Sequence, residues 1–169
     1  MTSFNLRQVK LRSGEQFRDE QEIALEPLVF GGQRYIPVPE EVPAELTISR
    51  ASTGTVFELR FEARLHGPCH RCLADAVVPR AIAAREYQAT SAEASEELRT
   101  PYVVEQRLDL SAWARDALVL DLPDQILCRA DCAGLCAVCG KDLNVEPHEH
   151  EQEEADPRWE VLAELRDRL

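Results

Sequence analysis

No stretch of this 169-residue chain approaches the uninterrupted apolar run that a membrane span needs. The cationic surplus of a nucleic-acid binder is missing too: 19 Lys and Arg against 31 Asp and Glu leave a formal charge of −12 and a pI near 4.8. Such a chain gains no counterion-release drive toward phosphate backbones, so an RNA role would need a local basic patch or a protein partner. There is no P-loop, no Gly-x-Ser-x-Gly, no His-Glu-x-x-His and no Gly-rich dinucleotide turn. The first residues, Met1 to Arg12, offer neither an apolar h-region nor a small-residue cleavage site, and a cytoplasmic protein is expected.

What the chain does have is cysteine. Cys128, Cys132, Cys136 and Cys139 stand in one short run, and Cys69 and Cys72 form a separate Cys-x2-Cys step. That step lets two thiolates reach one tetrahedral ion at about 2.3 Å each, with backbone N–H groups turned toward the sulfurs. Gly140, directly after Cys139, supplies the left-handed residue that such a turn favours. A disulfide framework suits small secreted domains, whereas this chain is long enough to bury a core without staples. A thioredoxin-type redox pair would want a helix after its second cysteine, and neither pair has one. A metal-stapled element is therefore expected.

The hydrophobic fraction of 44% and charged fraction of 30% are those of an ordinary globular protein. Arg7, Lys10, Arg12 and Arg18 make the start its most basic stretch, and acid gathers between Glu146 and Glu154. Phe17 and Ile23–Leu25 are candidate buried points in a mixed N-terminal region. Ile36–Pro43 carries too many prolines for a central strand and reads as an extended connector. Ala44–Arg50 and Val56–Leu65 read as strands joined by a Ser52-Thr53-Gly54 turn. In the second, Phe57, Leu59, Phe61, Ala63 and Leu65 alternate with charged residues. Val77–Tyr87 predicts a third long strand, which places Cys69 and Cys72 at the tip of a β-meander. Ala89–Thr100 reads as a surface loop or short helix, and Tyr102–Val104 as a short strand. Leu110–Leu120 predicts a helix with Asp109 as N-cap, Trp113 on its buried stripe and Pro123 beyond its end. Asp156-Pro157 opens a second amphipathic helix carrying Trp159. The expected class is α+β: an antiparallel β-meander or partial barrel packed by a few helices. Residues 1–127 would form the body, and 128–169 a Cys-rich segment, acidic loop and terminal helix in the same compact unit.

Four features, taken in order, resemble the bacterial YceD-type family of large-ribosomal-RNA-subunit accumulation proteins. They are Cys69-His-Arg-Cys72-Leu73 in a β-region, the run from Ile126 to Asn144 with its Cys-Gly-x-x-Leu-Asn ending, an acidic stretch, and the Asp156-Pro-Arg-Trp159 helix. The resemblance implies a non-enzymatic factor in 23S rRNA accumulation or processing and large-subunit biogenesis. Many members carry a Cys-x-Cys pair after Leu-Asn where this chain has His148-Glu149-His150, and imidazole can replace thiolate on zinc.

Several ligand sets for a structural zinc follow from the spacing. Cys128, Cys132, Cys136 and Cys139 make the most compact one. Cys69 and Cys72 could instead pair with Cys136 and Cys139 as a zinc ribbon, closing a loop of roughly sixty residues. A third set is Cys136, Cys139, His148 and His150, and two ions are possible. Each is a closed site with no open position for water, which argues against metal-assisted hydrolysis. His66, His70 and Asp75 read as solvated turn residues rather than acid–base groups. The expected protein is a docking module for a ribosomal protein, precursor 23S rRNA or an rRNA-processing factor, with RNA contact indirect or local and no membrane. A chaperone for a basic ribosomal protein, a thiol-redox sensor and an rRNA-processing enzyme are the alternatives.

Overall fold

The alternation along Val56–Leu65 becomes the central strand of the molecule. The computed structural model describes residues 2–91 and 95–150, so the expected helix from Asp156 to Leu169 lies outside the described residues. Strand β1 (Ser3–Asn5) opens the chain, followed by β2 (Gln16–Ala24), β3 (Leu28–Phe30), β4 (Gln33–Pro37) and β5 (Glu41–Arg50). Then come β6 (Gly54–Pro68), β7 (Asp75–Ala89), β8 (Val103–Val104), β9 (Arg107–Asp109) and the helix α1 (Leu110–Asp121). The class is α+β, with antiparallel sheets and one α-helix among the described residues.

β6 pairs with β7 along its whole length, from Gly54↔Ala89 to Pro68↔Asp75. Its other edge takes β5 over Thr55–Phe61 and β4 at Leu65 and His66. β2 extends the sheet beyond β5, and β3 extends it beyond β4. Among the described residues no pairing joins β2 or β3 to β7, so the sheet stays open rather than closing into a barrel. A smaller sheet, β1-β9-β8, leads directly into α1.

The buried face of β6 is the predicted one: Phe57, Leu59, Phe61, Ala63 and Leu65 are all buried. They join Leu46 and Ile48 of β5, Ile82 of β7, and Leu110, Trp113, Ala114 and Leu118 of α1 in one core. Asp109 caps the helix, its carboxylate accepting from the Ala112 N–H at 3.0 Å. Val119, beside Leu118, is exposed and lies outside this stripe. Ala89–Thr100 contributes a short 3-10 turn at Glu96–Leu98.

Two expectations need correction. Ile36–Pro43 is mostly strand, with only three residues connecting β4 to β5. Pro37 ends its strand, and Pro43 lies where β5 pairs only with β2, so its missing N–H costs no bond to β6. The mixed N-terminal region holds a nine-residue strand, β2. Asp19 and Gln21 share a face with Phe17 and Ile23, which blurs the period-two pattern there.

β6 delivers the Cys69–Cys72 turn to its place through a tight contact at Gly67. A Cβ there would run into the Tyr35 ring. That ring is buried, and its hydroxyl donates to the Pro68 carbonyl at 3.1 Å. We expect Gly67→Ala to destabilise the protein by about 1–3 kcal/mol through overpacking, read as a lower urea midpoint at unchanged m-value.

Tyr102 stacks on Trp113, with ring centroids 6.2 Å apart, and donates its hydroxyl to Asp116 at 3.1 Å. Burial, reinforced by the Asp116 carboxylate, pushes the phenol up to about 12. The neutral phenol is thus favoured in the fold, and an unfolded tyrosine ionises near pH 10. This stabilisation is complete below about pH 10 and lost as pH rises toward 12. Tyr102→Phe should remove the last step of the tyrosinate absorbance titration and flatten stability over that window.

Candidate metal centre

The two Cys-x2-Cys turns have the same backbone. In the first, the Cys69 N–H donates to the Ala74 carbonyl at 2.7 Å and the Leu73 N–H donates to the Cys69 carbonyl at 3.0 Å. In the second, the Cys136 N–H donates to Lys141 at 2.8 Å and the Gly140 N–H to Cys136 at 2.9 Å. Both turns end in a left-handed residue, with φ of 61° at Leu73 and 72° at Gly140. Glycine adopts that conformation freely, while leucine does so at a cost, so the first turn is held by its surroundings.

Those surroundings are the segment after α1. The His70 N–H donates to the Ile126 carbonyl at 2.7 Å, and the Leu135 N–H donates to the Arg71 carbonyl at 3.1 Å. The Arg71 guanidinium donates to the Cys132 carbonyl at 2.9 Å. Residues 126–135 are thereby laid along the hairpin tip, and four cysteines converge: Cys69, Cys72, Cys128 and Cys132. The Cys69 and Cys132 sulfurs are 3.8 Å apart, and those of Cys72 and Cys128 are 3.6 Å apart. A tetrahedron with metal–sulfur bonds of about 2.3 Å has edges of about 3.8 Å, so two of its edges are already set. A disulfide needs about 2.0 Å, and all six cysteines are free thiols. Cys69, Cys72 and Cys132 are buried, and Cys128 is at the open side.

The remaining candidates form a second group: Cys136, Cys139, His148 and His150. The run Cys128, Cys132, Cys136, Cys139 is therefore split two and two between the groups, not gathered into one site. The ribbon set of Cys69, Cys72, Cys136 and Cys139 is divided in the same way. Gly134 marks the division; left-handed at φ of 84°, it lies close against Arg71, where a Cβ would come within 3.3 Å of the Arg71 Cβ and carbonyl oxygen. His66 and His70 are exposed and belong to neither group.

The electrostatics of the buried group favour a cation. Burial pushes the Cys69 thiol up, but N–H groups of Cys72, Cys128 and Arg71 outweigh it and hold the group near 6. Cys72 goes up: the Ala74 N–H and the Cys128 sulfur favour its thiolate, yet burial and the Cys132 and Cys69 sulfurs prevail. Burial and the same sulfur neighbours drive Cys128 to about 12. Four sulfurs this close cannot all ionise by themselves, and a divalent cation removes that conflict. Cys136 is held near 6 by the N–H groups of Cys139 and Val138. His148 is raised, first by its bond to the Glu146 carbonyl and then by Cys136.

Against known proteins, the family of the large ribosomal RNA subunit accumulation protein YceD matches residues 57–166. The chain belongs to the YceD family. It is 36% identical over 126 residues to an uncharacterized protein of Mycobacterium tuberculosis (strain ATCC 25618 / H37Rv), covering 72% of this chain and 60% of that one. A second relative, an uncharacterized protein of Mycobacterium leprae (strain TN), is 37% identical over 102 residues, covering 57% and 46%. The chain thus spans about 60% of the length of the first of these relatives. No solved structure matches. Both cysteine groups fall inside the YceD match.

Within the YceD segment, Asn144 ties the two groups together, a role not evident from its place in the Cys-Gly-x-x-Leu-Asn run. Its side-chain oxygen accepts from the Ala133 N–H at 2.8 Å and from Arg129 at 2.6 Å. Its amide donates to Asp142 at 2.6 Å and reaches the Cys132 sulfur at 3.6 Å. The adjacent Leu143 N–H donates to the Gly134 carbonyl at 2.9 Å. Such outer contacts orient a thiolate and spread its charge. Asn144→Ala should loosen this tie by about 1–2 kcal/mol. In hydrogen exchange, the Leu135 and Leu143 amides should speed up by about five- to thirty-fold, while the β6–β7 ladder keeps its protection.

Proposed function

We propose that this YceD-family protein is a non-enzymatic factor supporting 23S rRNA accumulation and large-subunit biogenesis, acting in the cytoplasm as a docking module. The family match over residues 57–166 carries the reading, since that family is described by large ribosomal RNA subunit accumulation. Zinc is the ion best suited to the Cys69, Cys72, Cys128 and Cys132 group, because four thiolates in a tetrahedron select zinc or an iron–sulfur cluster. With all four positions taken by sulfur, such an ion has no room for a water or substrate, so its role is structural. It would fasten the segment after α1 to the hairpin tip and fix the surface around both.

The charge of −12 points to the kind of partner. An acidic surface repels RNA and attracts the basic segments of ribosomal proteins. We read contact with a ribosomal protein as the primary interaction and contact with precursor 23S rRNA as indirect. No helix among the described residues is long and apolar enough to cross a membrane.

Depleting the protein in its own cell should lower the ratio of 23S to 16S rRNA and the share of large subunits on a gradient. A Cys69→Ser/Cys132→Ser copy should fail to restore the ratio. An unchanged ratio on depletion would remove the proposal, and cleavage of precursor rRNA by the purified protein would remove its non-enzymatic part.

A further inference from the structure

We infer that Cys136, Cys139, His148 and His150 form a second zinc site, independent of the all-cysteine group and open to solvent. The inference rests on the geometry of these residues and not on the rRNA reading. Their ligand atoms all lie within 4.8 Å of one another. The turn that presents Cys136 and Cys139 reproduces the Cys69–Cys72 turn hydrogen bond for hydrogen bond, with the same left-handed residue at its end. A bridge between Leu135 and Asp142 closes the base of the turn. Val145 and Glu146 then donate to the Asp142 carbonyl at 3.2 and 3.0 Å, which turns the chain back toward the cysteines.

His148 is already set as a ligand. Its Nδ1 lies 2.7 Å from the Glu146 carbonyl, an acceptor only, so the proton belongs on Nδ1. In the neutral ring Nε2 is then the nitrogen free to ligate, and it sits 3.1 Å from the Cys139 sulfur. A metal-ligating histidine characteristically donates its other ring N–H to a carbonyl or carboxylate, and this contact has that form. His150 stands edge-on to His148 with ring centroids 4.9 Å apart, bringing a second imidazole to the same point. Two solvated histidines in an acidic loop would need none of these relations.

Two sulfurs and two nitrogens in a tetrahedron are a zinc donor set. Two thiolates neutralise one Zn²⁺, so this site needs no further counter-charge, whereas the all-cysteine group would carry two excess negative charges. The sites also differ in access. Cys139 and His150 are exposed, while three of the four residues in the first group are buried. Chelators should therefore strip the second ion first.

The test counts ions on the full chain. Reduced, stripped protein is reloaded with Zn²⁺, freed of excess metal and weighed by native mass spectrometry. The inference predicts two ions in the parent and one in His148→Ala/His150→Ala, with the urea midpoint of the β-rich body unchanged. A limiting chelator should bring the parent from two ions to one and leave the double variant at one. With Co²⁺ as probe, the ion missing from the double variant should show the weaker sulfur-to-cobalt absorption, since two rather than four thiolates bind it. Cys69→Ser/Cys132→Ser should keep one ion, and if that variant fails to fold the histidine variant alone decides. Two ions in the histidine variant, or a single ion in the parent that survives the histidine substitutions, would overturn the inference. The readout is independent of the 23S ratio, so either idea can fail while the other stands.

Discussion

Everything around the cysteines depends on one meeting of distant chain segments, the β6–β7 tip against the stretch that follows α1. Residues 56 apart in sequence, Cys72 and Cys128, bring their sulfurs to 3.6 Å. No secondary structure accomplishes this. Backbone bonds from His70 to Ile126 and from Leu135 to Arg71 do so, with the Arg71 guanidinium on the Cys132 carbonyl. Each such bond contributes about 1 kcal/mol net, which is little against the entropy of ordering so irregular a segment. The thiol contacts between the sulfurs are weak and add little. An ion joining them would supply further stabilisation, which is the physical reason to read the group as a candidate metal centre rather than as packed thiols.

The main sheet was legible because β6 is half-buried along its full length. Phe57 to Leu65 alternate without a fault, and the turn signal at Ser52–Gly54 fixed the partner strand and register. The N-cap at Asp109 was equally plain, since the capping residue and the apolar stripe are local features. β2 was not legible, because its polar residues at 19 and 21 face the same way as Phe17 and Ile23 and the strand is held by pairing with β5. The cysteine partition failed to show for a related reason. Sequence proximity favoured one site for Cys128, Cys132, Cys136 and Cys139, but the run divides between two groups, with a left-handed glycine, Gly134, between its halves. The half that joins Cys69 and Cys72 is held there by long-range contacts, among them the Arg71 guanidinium on the Cys132 carbonyl.

The charge distribution gives the functional reading its shape. An all-cysteine centre is itself anionic when loaded, and it lies in a chain whose formal charge is already −12. Phosphate backbones gain nothing from such a surface, and basic peptides gain a good deal. The strands of the main sheet reinforce the separation of roles. The inward residues of the central strand β6 are apolar and engaged in the core, which leaves the outward face and the turns at the tip as the surface a partner could meet.

The two turns also divide labour by loop length. Joining Cys72 to Cys128 closes a loop of 56 residues, and joining Cys139 to His148 closes one of nine. Loop-closure entropy rises as about 1.5RT times the logarithm of length, so the first closure costs about 1.6 kcal/mol more than the second. The first site can form only after β6, β7 and α1 are in place, because they carry its halves together. The inferred second site would need only the chain from Leu135 to His150, so it would not have to wait for the sheet. Metal would thus follow folding at the tip and need not follow it in the tail. Asn144, bonded on one side to Ala133 and Cys132 and on the other to Asp142, is where the two orders of assembly meet.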